Sequence, residues 1–242
     1  GFIKWIFELE TKRLSRYESQ VLLKFNDCAI ISEQDRTLLM FPQKENIKII
    51  PNGVDIQFFK PNKDSEKKYH IVFVGNMGYH PNVKAAKYLV NEILPILQEK
   101  IPDIKILIAG ARPSAEVRNL QRERVVVTGW MDDIRDAYSS AQVFVAPIFF
   151  GSGQQNKILE AMSMGLPCIT TSMVNNAIGA PVETGIYVAD NADSFATQIV
   201  QLLQNPDLQL KIGQASRVFV EQNYSWQHSV SILAELFEKN SQ

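Results

Sequence analysis

Glu160 and Lys157 are the residues of this 242-residue chain best placed to do chemistry. They lie in GSGQQNKILEAMSMG, residues 151–165, where two glycines one residue apart precede a polar Gln-Gln-Asn-Lys run and an amphipathic helical stretch. Residues three and four apart are neighbours on a helix, so Asn156, Lys157 and Glu160 share one face while Ile158, Leu159 and Met162 turn inward. A carboxylate there can accept hydrogen bonds from hydroxyls, and an ammonium can meet an anion. The helix start adds unpaired N–H groups and partial positive charge. That is worth only about 0.3–2 kcal/mol towards an anion, so it cannot hold a ligand unaided. The plainer reading is an exposed Lys157–Glu160 pair worth roughly 0.2–0.5 kcal/mol.

The elements that would position these residues can be read from the apolar pattern. Short apolar runs at 71–74, 104–109, 125–128, 143–146, 168–170 and 186–188 alternate with helical stretches at 83–100, 115–122 and 133–140. Strands alternating with helices predict an α/β fold, a Rossmann-like doubly wound parallel sheet covered on both faces. Ligands of such sheets bind beyond the carboxyl ends of the strands. The residues that follow the first four runs are Gly75-Asn76, then Gly110 with Arg112, then Gly129-Trp130-Met131, then Gly151-Ser152-Gly153-Gln154-Gln155 leading to Asn156. A glycine in any one loop is ordinarily a tight turn. Four such loops at one sheet edge point to a nucleotide site.

Several rival chemistries fall away. No GxGxxG follows the first strand, there is no GxxxxGK[ST], and no GxSxG elbow occurs. The net charge of −1 offers no surface for nucleic acid. Cys28 and Cys168 are isolated, and His70, His80 and His228 show no ligand spacing, so no metal site is expected. Unpaired thiols fit a reducing compartment, which makes a cytoplasmic location the expectation.

Ahead of the sheet, residues 2–26 read as one amphipathic helix, followed by strands at 28–31 and 47–50 and a turn at 51–55. Ser32 suits a helix cap, with Asp35 at the capping spacing. Residues 2–7 are apolar and aromatic but too short for a signal peptide; they could touch a membrane surface or pack on another element. A polar stretch at 61–68 marks a domain boundary, and helices at 193–204, 206–221 and 226–239 close the chain, with Asp193 and Ser225 as expected caps.

Residues 71–226 resemble the donor-binding domain of group-1 (retaining, GT-B) glycosyltransferases. The segments that carry the resemblance are IVFVGNMGYHPN, IKILIAGARP, VVVTGWMDDIRDAYSSAQVFVAP, GSGQQNKILEAMSMGLPCITT and YSW. Upstream, FNDCAIISEQDRTLLMF and IKIIPNGVDIQFF look like the end of the acceptor domain and its linker. The resemblance implies a remnant of that domain at 1–58, a nucleotide-sugar-binding domain at 59–225 and a C-terminal helix at 226–242 packing back. It implies hexosyl transfer with retention, from a nucleotide-diphosphate sugar to a glycan or lipid-linked acceptor. Surface polysaccharide biosynthesis at the inner face of a bacterial membrane is the implied setting, with no metal and no cofactor.

By the same resemblance Glu160 binds the ribose hydroxyls, and Gly153, Gln154, Gln155 and Asn156 hold the diphosphate through backbone N–H groups with Lys157 as charge partner. Residues 128–131 pass the base edge, and Gly75 and Asn76 lie under the pyrophosphate. The sequence departs from the family where Ser152 replaces a second acid and where Asn76 and Pro81 stand in place of Arg and Lys. Arg112, Lys84 or Lys157 is then the substitute cation. The bulk of an acceptor domain is expected ahead of Gly1, so residues 1–242 alone are expected to bind nucleotide without transferring sugar. The alternatives are a nucleotide-sugar 2-epimerase of the same fold and a non-catalytic nucleotide-sugar-binding protein.

Overall fold

The computed structural model describes residues 1–40, 42–62, 64–151 and 153–240. Ser152, Lys63 of the expected linker and Phe41 of the upstream segment lie outside the described residues. The chain starts with α1 (Phe2–Leu22), which ends before residue 26 of the expected helix and buries none of its residues. Next come β1 (Ala29–Ile30), α2 (Glu33–Leu38), a 3₁₀ turn (Pro42–Asn46) and β2 (Lys48–Ile49), with β1 and β2 paired in parallel. Ser32 starts α2 as its spacing predicts, accepting from Asp35 N.

The apolar runs become one six-stranded sheet. Its strands are β3 (Tyr69–Val74), β4 (Ile106–Ala109), β5 (Val125–Val127), β6 (Ala141–Ala146), β7 (Cys168–Thr170) and β8 (Tyr187–Val188). The order is β5-β4-β3-β6-β7-β8, and every pairing is parallel. Strands flanked on both sides must be apolar on both faces. Accordingly Ile71, Val72, Phe73, Val143, Phe144 and Val145 of the two central strands have no exposed surface.

Parallel strands require crossovers. Between β3 and β4 run α3 (His80–Tyr88), a π-helical stretch (Leu89–Ile93) and α4 (Leu94–Lys100). This path starts ahead of the expected residue 83 because Pro81 sits in the first turn, where its missing N–H has no helical partner to lose. The π turn precedes Pro95, whose ring crowds the carbonyl four residues back. The other crossovers are α5 (Ala115–Arg118), α6 (Arg135–Ser139), α7 (Asn156–Ser163) and α8 (Ser172–Ile178), the first two shorter than the sequence predicts.

The apolar pattern gives no hint of α8. Its signals are local: Thr171 accepts from Val174 N at the start, and Gly179 closes it at φ 70°. The chain ends in α9 (Ala192–Leu203), α10 (Pro206–Asn223) and α11 (Trp226–Asn240). Asp193 is not the cap of α9. Asn191 is, in a capping box with Ser194, because its side chain reaches the N3 amide that a residue inside the first turn cannot reach. Ser225 does accept from His228 N in the first turn of α11.

The C-terminal segment returns to the turn at 51–55. Val54 N donates to Tyr224 O at 2.7 Å, and a Cβ on Gly53 would stand 2.6 Å from Trp226 Cα. Glycine is required there by close approach. No described helix is long and apolar enough to cross a membrane.

Candidate functional site

The strand order places a crevice where the site should be. From β3 the chain winds one way to β4 and β5, then returns to β6 and winds the other way to β7 and β8. Crossovers leave β3 and β6 in opposite directions, so a gap opens beyond their carboxyl ends. The Gly75–Gly78 loop follows β3 there, and residues 147–155 follow β6.

Backbone packing narrows this edge. Gly110 has φ 133°, and a Cβ on it would lie 2.0 Å from Gly75 O, so no other residue fits. At Gly75 a Cβ would lie 2.8 Å from Asn82 Nδ2 and 3.4 Å from Lys157 Nζ. Two glycines thus leave room for polar side chains at the edge of β3.

Lys157 and Glu160 sit in α7, whose amphipathic pattern buries Ile158, Leu159 and Met162. They do not form the exposed ion pair that spacing alone suggests. Both are partly buried, and each is held by another element. Lys157 Nζ donates to Asn82 Oδ1 and lies 5.5 Å from the Phe73 ring centroid. The Tyr138 hydroxyl stands 2.7 Å from Glu160 Oε2, to which it donates, and 3.2 Å from Lys157 O. Asn82 Nδ2 donates to Asn76 O at 2.9 Å, and Asn76 Oδ1 accepts from Gly78 N at 3.1 Å. Glu160, Lys157, Asn82 and Asn76 are thereby connected across the gap.

Burial sets the charge states. It lowers the Lys157 pKa to about 8 against the opposing pull of Glu160. It raises the Glu160 pKa, opposed by the Tyr138 hydrogen bond and by Lys157. The Tyr138 hydroxyl, fully buried beside a carboxylate, is pushed well above its ordinary range and so remains a donor.

Other residues singled out in the sequence take different places. Gln154 is buried, and its side chain braces the loop: Oε1 accepts from Asn52 N at 3.2 Å, while Nε2 donates to Asn52 O at 2.8 Å and to Asn156 Oδ1. Gly153, at φ 81°, packs close to Asp35, and Gly151 has φ 119°. Gln155 precedes α7 with no side-chain cap, so its first N–H groups are not taken by that side chain. Of the three candidate cations, Lys157 stands at Gly75. Lys84 lies 4.8 Å over the Phe150 ring, and Arg112 is exposed with φ 54°. Gly129, Trp130 and Met131 follow β5, two strands from β3, and Trp130 is 78% exposed. The structure brings none of those three to Lys157 or Glu160 by a described hydrogen bond.

Sequence reasoning missed Asn82 and Tyr138. Their signal is a polar residue on the inward face of a helix start, and a tyrosine in an otherwise small-residue run (DAYSSA), both fully or nearly fully buried. A cavity of about 350 Å³ lies between α3 and residues 147–150, beside the cluster but lined by none of its members. Among the described residues, no group of three or more His, Cys, Asp or Glu is arranged to hold a metal ion.

Residues 68–205 match the family model described as Glycosyl transferases group 1. The chain is 29% identical over 199 residues to the UDP-Gal:alpha-D-GlcNAc-diphosphoundecaprenol alpha-1,3-galactosyltransferase of Escherichia coli, covering 72% of this chain and 49% of that protein. It is 22% identical over 243 residues to an uncharacterized 44.6 kDa protein in the cps region of Klebsiella pneumoniae, covering 95% of this chain and 62% of that protein. Among solved structures, a glycosyltransferase from Rickettsia africae superposes with a TM-score of 0.75 at 17% identity, over 94% of this chain and 66% of that one. An Anabaena protein solved with UDP and glucose gives 0.73 at 16% identity, with the same coverage. These structures share the fold. The chain spans 49–62% of the length of these two relatives by sequence.

Proposed function

This chain belongs to the group 1 glycosyl transferases, and we propose that it binds a nucleotide-diphosphate sugar at the gap between β3 and β6. The observation that carries the reading is the Lys157 side chain spanning that gap: it leaves α7, after β6, and its ammonium stands at Gly75 and donates to Asn82 of α3, after β3. An ammonium there faces the place where a diphosphate would meet the N–H groups at the start of α7. Tyr138 fixes one oxygen of Glu160, and the other is the atom we assign to the ribose hydroxyls. The end of β5 lies about 10 Å from β3 at ordinary strand spacing. That span suits the base, with Gly129, Trp130 and Met131 presenting backbone groups to it.

In the transfer step the bond from the anomeric carbon to the diphosphate breaks, and negative charge grows on the leaving oxygen as it opens. That carbon bonds to the acceptor's hydroxyl oxygen, whose proton passes to the departing diphosphate. In this reading Lys157 and the N–H groups of residues 153–156 stabilise that charge, since preorganised donors of this kind can supply catalysis. Retention, a hexosyl donor and a glycan or lipid-linked acceptor of surface polysaccharide synthesis belong to the same proposal for the whole protein. The Escherichia coli relative's name, with its diphosphoundecaprenol acceptor, supports that acceptor class. The exposed aromatic residues of α1 are the surface we assign to peripheral contact with the cytoplasmic face of a membrane. For residues 1–242 the proposed activity is donor binding without transfer.

Calorimetric titration with UDP, GDP and ADP tests the donor site. One of the three should bind, and Glu160→Ala should weaken it at least tenfold, about 1.4 kcal/mol. Equal binding by wild type and Glu160→Ala would remove Glu160 from the site.

A further inference from the structure

Asn82 is the third residue of α3, yet its side chain does not serve its own helix. It is 3% exposed and has two partners on different elements. Nδ2 donates to the Asn76 carbonyl in the loop after β3, and Oδ1 accepts from the Lys157 ammonium in the first turn of α7. The reverse orientation of the amide would set its NH₂ against the ammonium and its oxygen against a carbonyl. The chemistry of the partners therefore fixes which end points where.

We propose that Asn82 is the positioning residue of the anion subsite: it holds the Lys157 ammonium against the Gly75–Gly78 loop, ready to meet a diphosphate. The proposal rests on the donor-site reading above and names the residue that makes Lys157 usable there. Glycine at 75 is part of the device, since a Cβ would press on Asn82 Nδ2 at 2.8 Å, with Lys157 Nζ in contact at 3.4 Å. Of the described groups that act on the ammonium, its own helix contributes Glu160 and β3 contributes the Phe73 ring, while the Tyr138 hydroxyl of α6 meets the Lys157 backbone carbonyl instead. Among them Asn82 is the neutral acceptor. An amide oxygen orients an ammonium without cancelling its charge, whereas a carboxylate in the same place would pair with it and repel the incoming anion. That difference accounts for an amide, and not an acid, at 82.

The test follows the Lys157 side-chain NMR signal against pH in the ligand-free chain, for wild type, Asn82→Asp and Asn82→Leu. UDP, GDP and ADP are then titrated into each. In Asn82→Asp the Lys157 midpoint should rise by about one pH unit or more, as a carboxylate now faces it. In Asn82→Leu it should fall, because the charged form loses its acceptor. Both changes should weaken the nucleotide that wild type binds at least tenfold. Asn82→Asp is nearly isosteric and carries the test by itself if Asn82→Leu fails to fold. A residue that merely packs would leave the Lys157 midpoint where it is, and an unmoved midpoint in the folded variants overturns the proposal. If wild type binds none of the three nucleotides, the donor-site reading fails, while the lysine titration still decides whether Asn82 holds Lys157.

Discussion

Burial of Lys157 costs stability, and the same ammonium is the group proposed to meet the diphosphate. Its pKa is about 8 in the folded chain against 10.5 for an ordinary lysine. The unfolded chain therefore binds more protons between those values, and stability gains from this residue as pH rises from about 8 to 10.5. Below pH 8 the cost of burying the ammonium is fully present. Lys157→Met should thus be more stable than wild type at pH 7 and lose most of that advantage by pH 10, which denaturant unfolding at the two pH values checks. Nucleotide affinity should run the other way, falling as pH rises through about 8 because the free site loses its positive charge. Tyr138→Phe removes the donor to Glu160 and takes a hydrogen bond from a partly buried carboxylate oxygen. The expected loss is about 1–3 kcal/mol of stability, measured by urea unfolding, with weaker nucleotide binding. Glu160 and Lys157 were legible in the sequence because helical spacing puts them on one face. Asn82 and Tyr138 were not, because their partners lie 75 and 22 residues away, and no local pattern records a contact of that range.

At the scale of elements, glycine decides how closely the loops can pack. Gly110→Ala would drive a methyl group into Gly75 O and impose a backbone angle that side chains resist. A loss of about 3 kcal/mol or more is expected, seen as a lowered thermal midpoint together with lost nucleotide binding. The strands were legible because the apolar runs in the middle of the sheet are buried on both faces, which leaves little room for another assignment. Helix ends were less so. Asn191 caps α9 in place of Asp193, and α8 rests on Thr171 and Gly179 with no long apolar stripe to announce it. Gln154 lay in the expected site segment, yet its side chain serves the loop by bracing Asn52, a role that a glycine-rich stretch does not advertise.

Across the whole molecule, one arrangement gathers these parts: a parallel sheet whose winding reverses between β3 and β6, with polar side chains from α3, α6 and α7 meeting at that reversal. The N-terminal unit touches the same edge through Asp35 beside Gly153 and Asn52 on Gln154. The C-terminal segment closes on Gly53 and Val54 next to it. Sequence spacing predicted the sheet and put glycine loops after its strands, but strand order decides which two loops face each other, and only the fold supplies that. The most direct test of a donor site at this reversal is backbone amide NMR of the chain with saturating UDP, GDP or ADP, mapped residue by residue. The largest shifts should fall in residues 75–78 and 153–160, with a smaller set after β5 at 129–131. Shifts confined to the cavity between α3 and residues 147–150, or to the N-terminal unit, would place the nucleotide elsewhere and contradict the assignment.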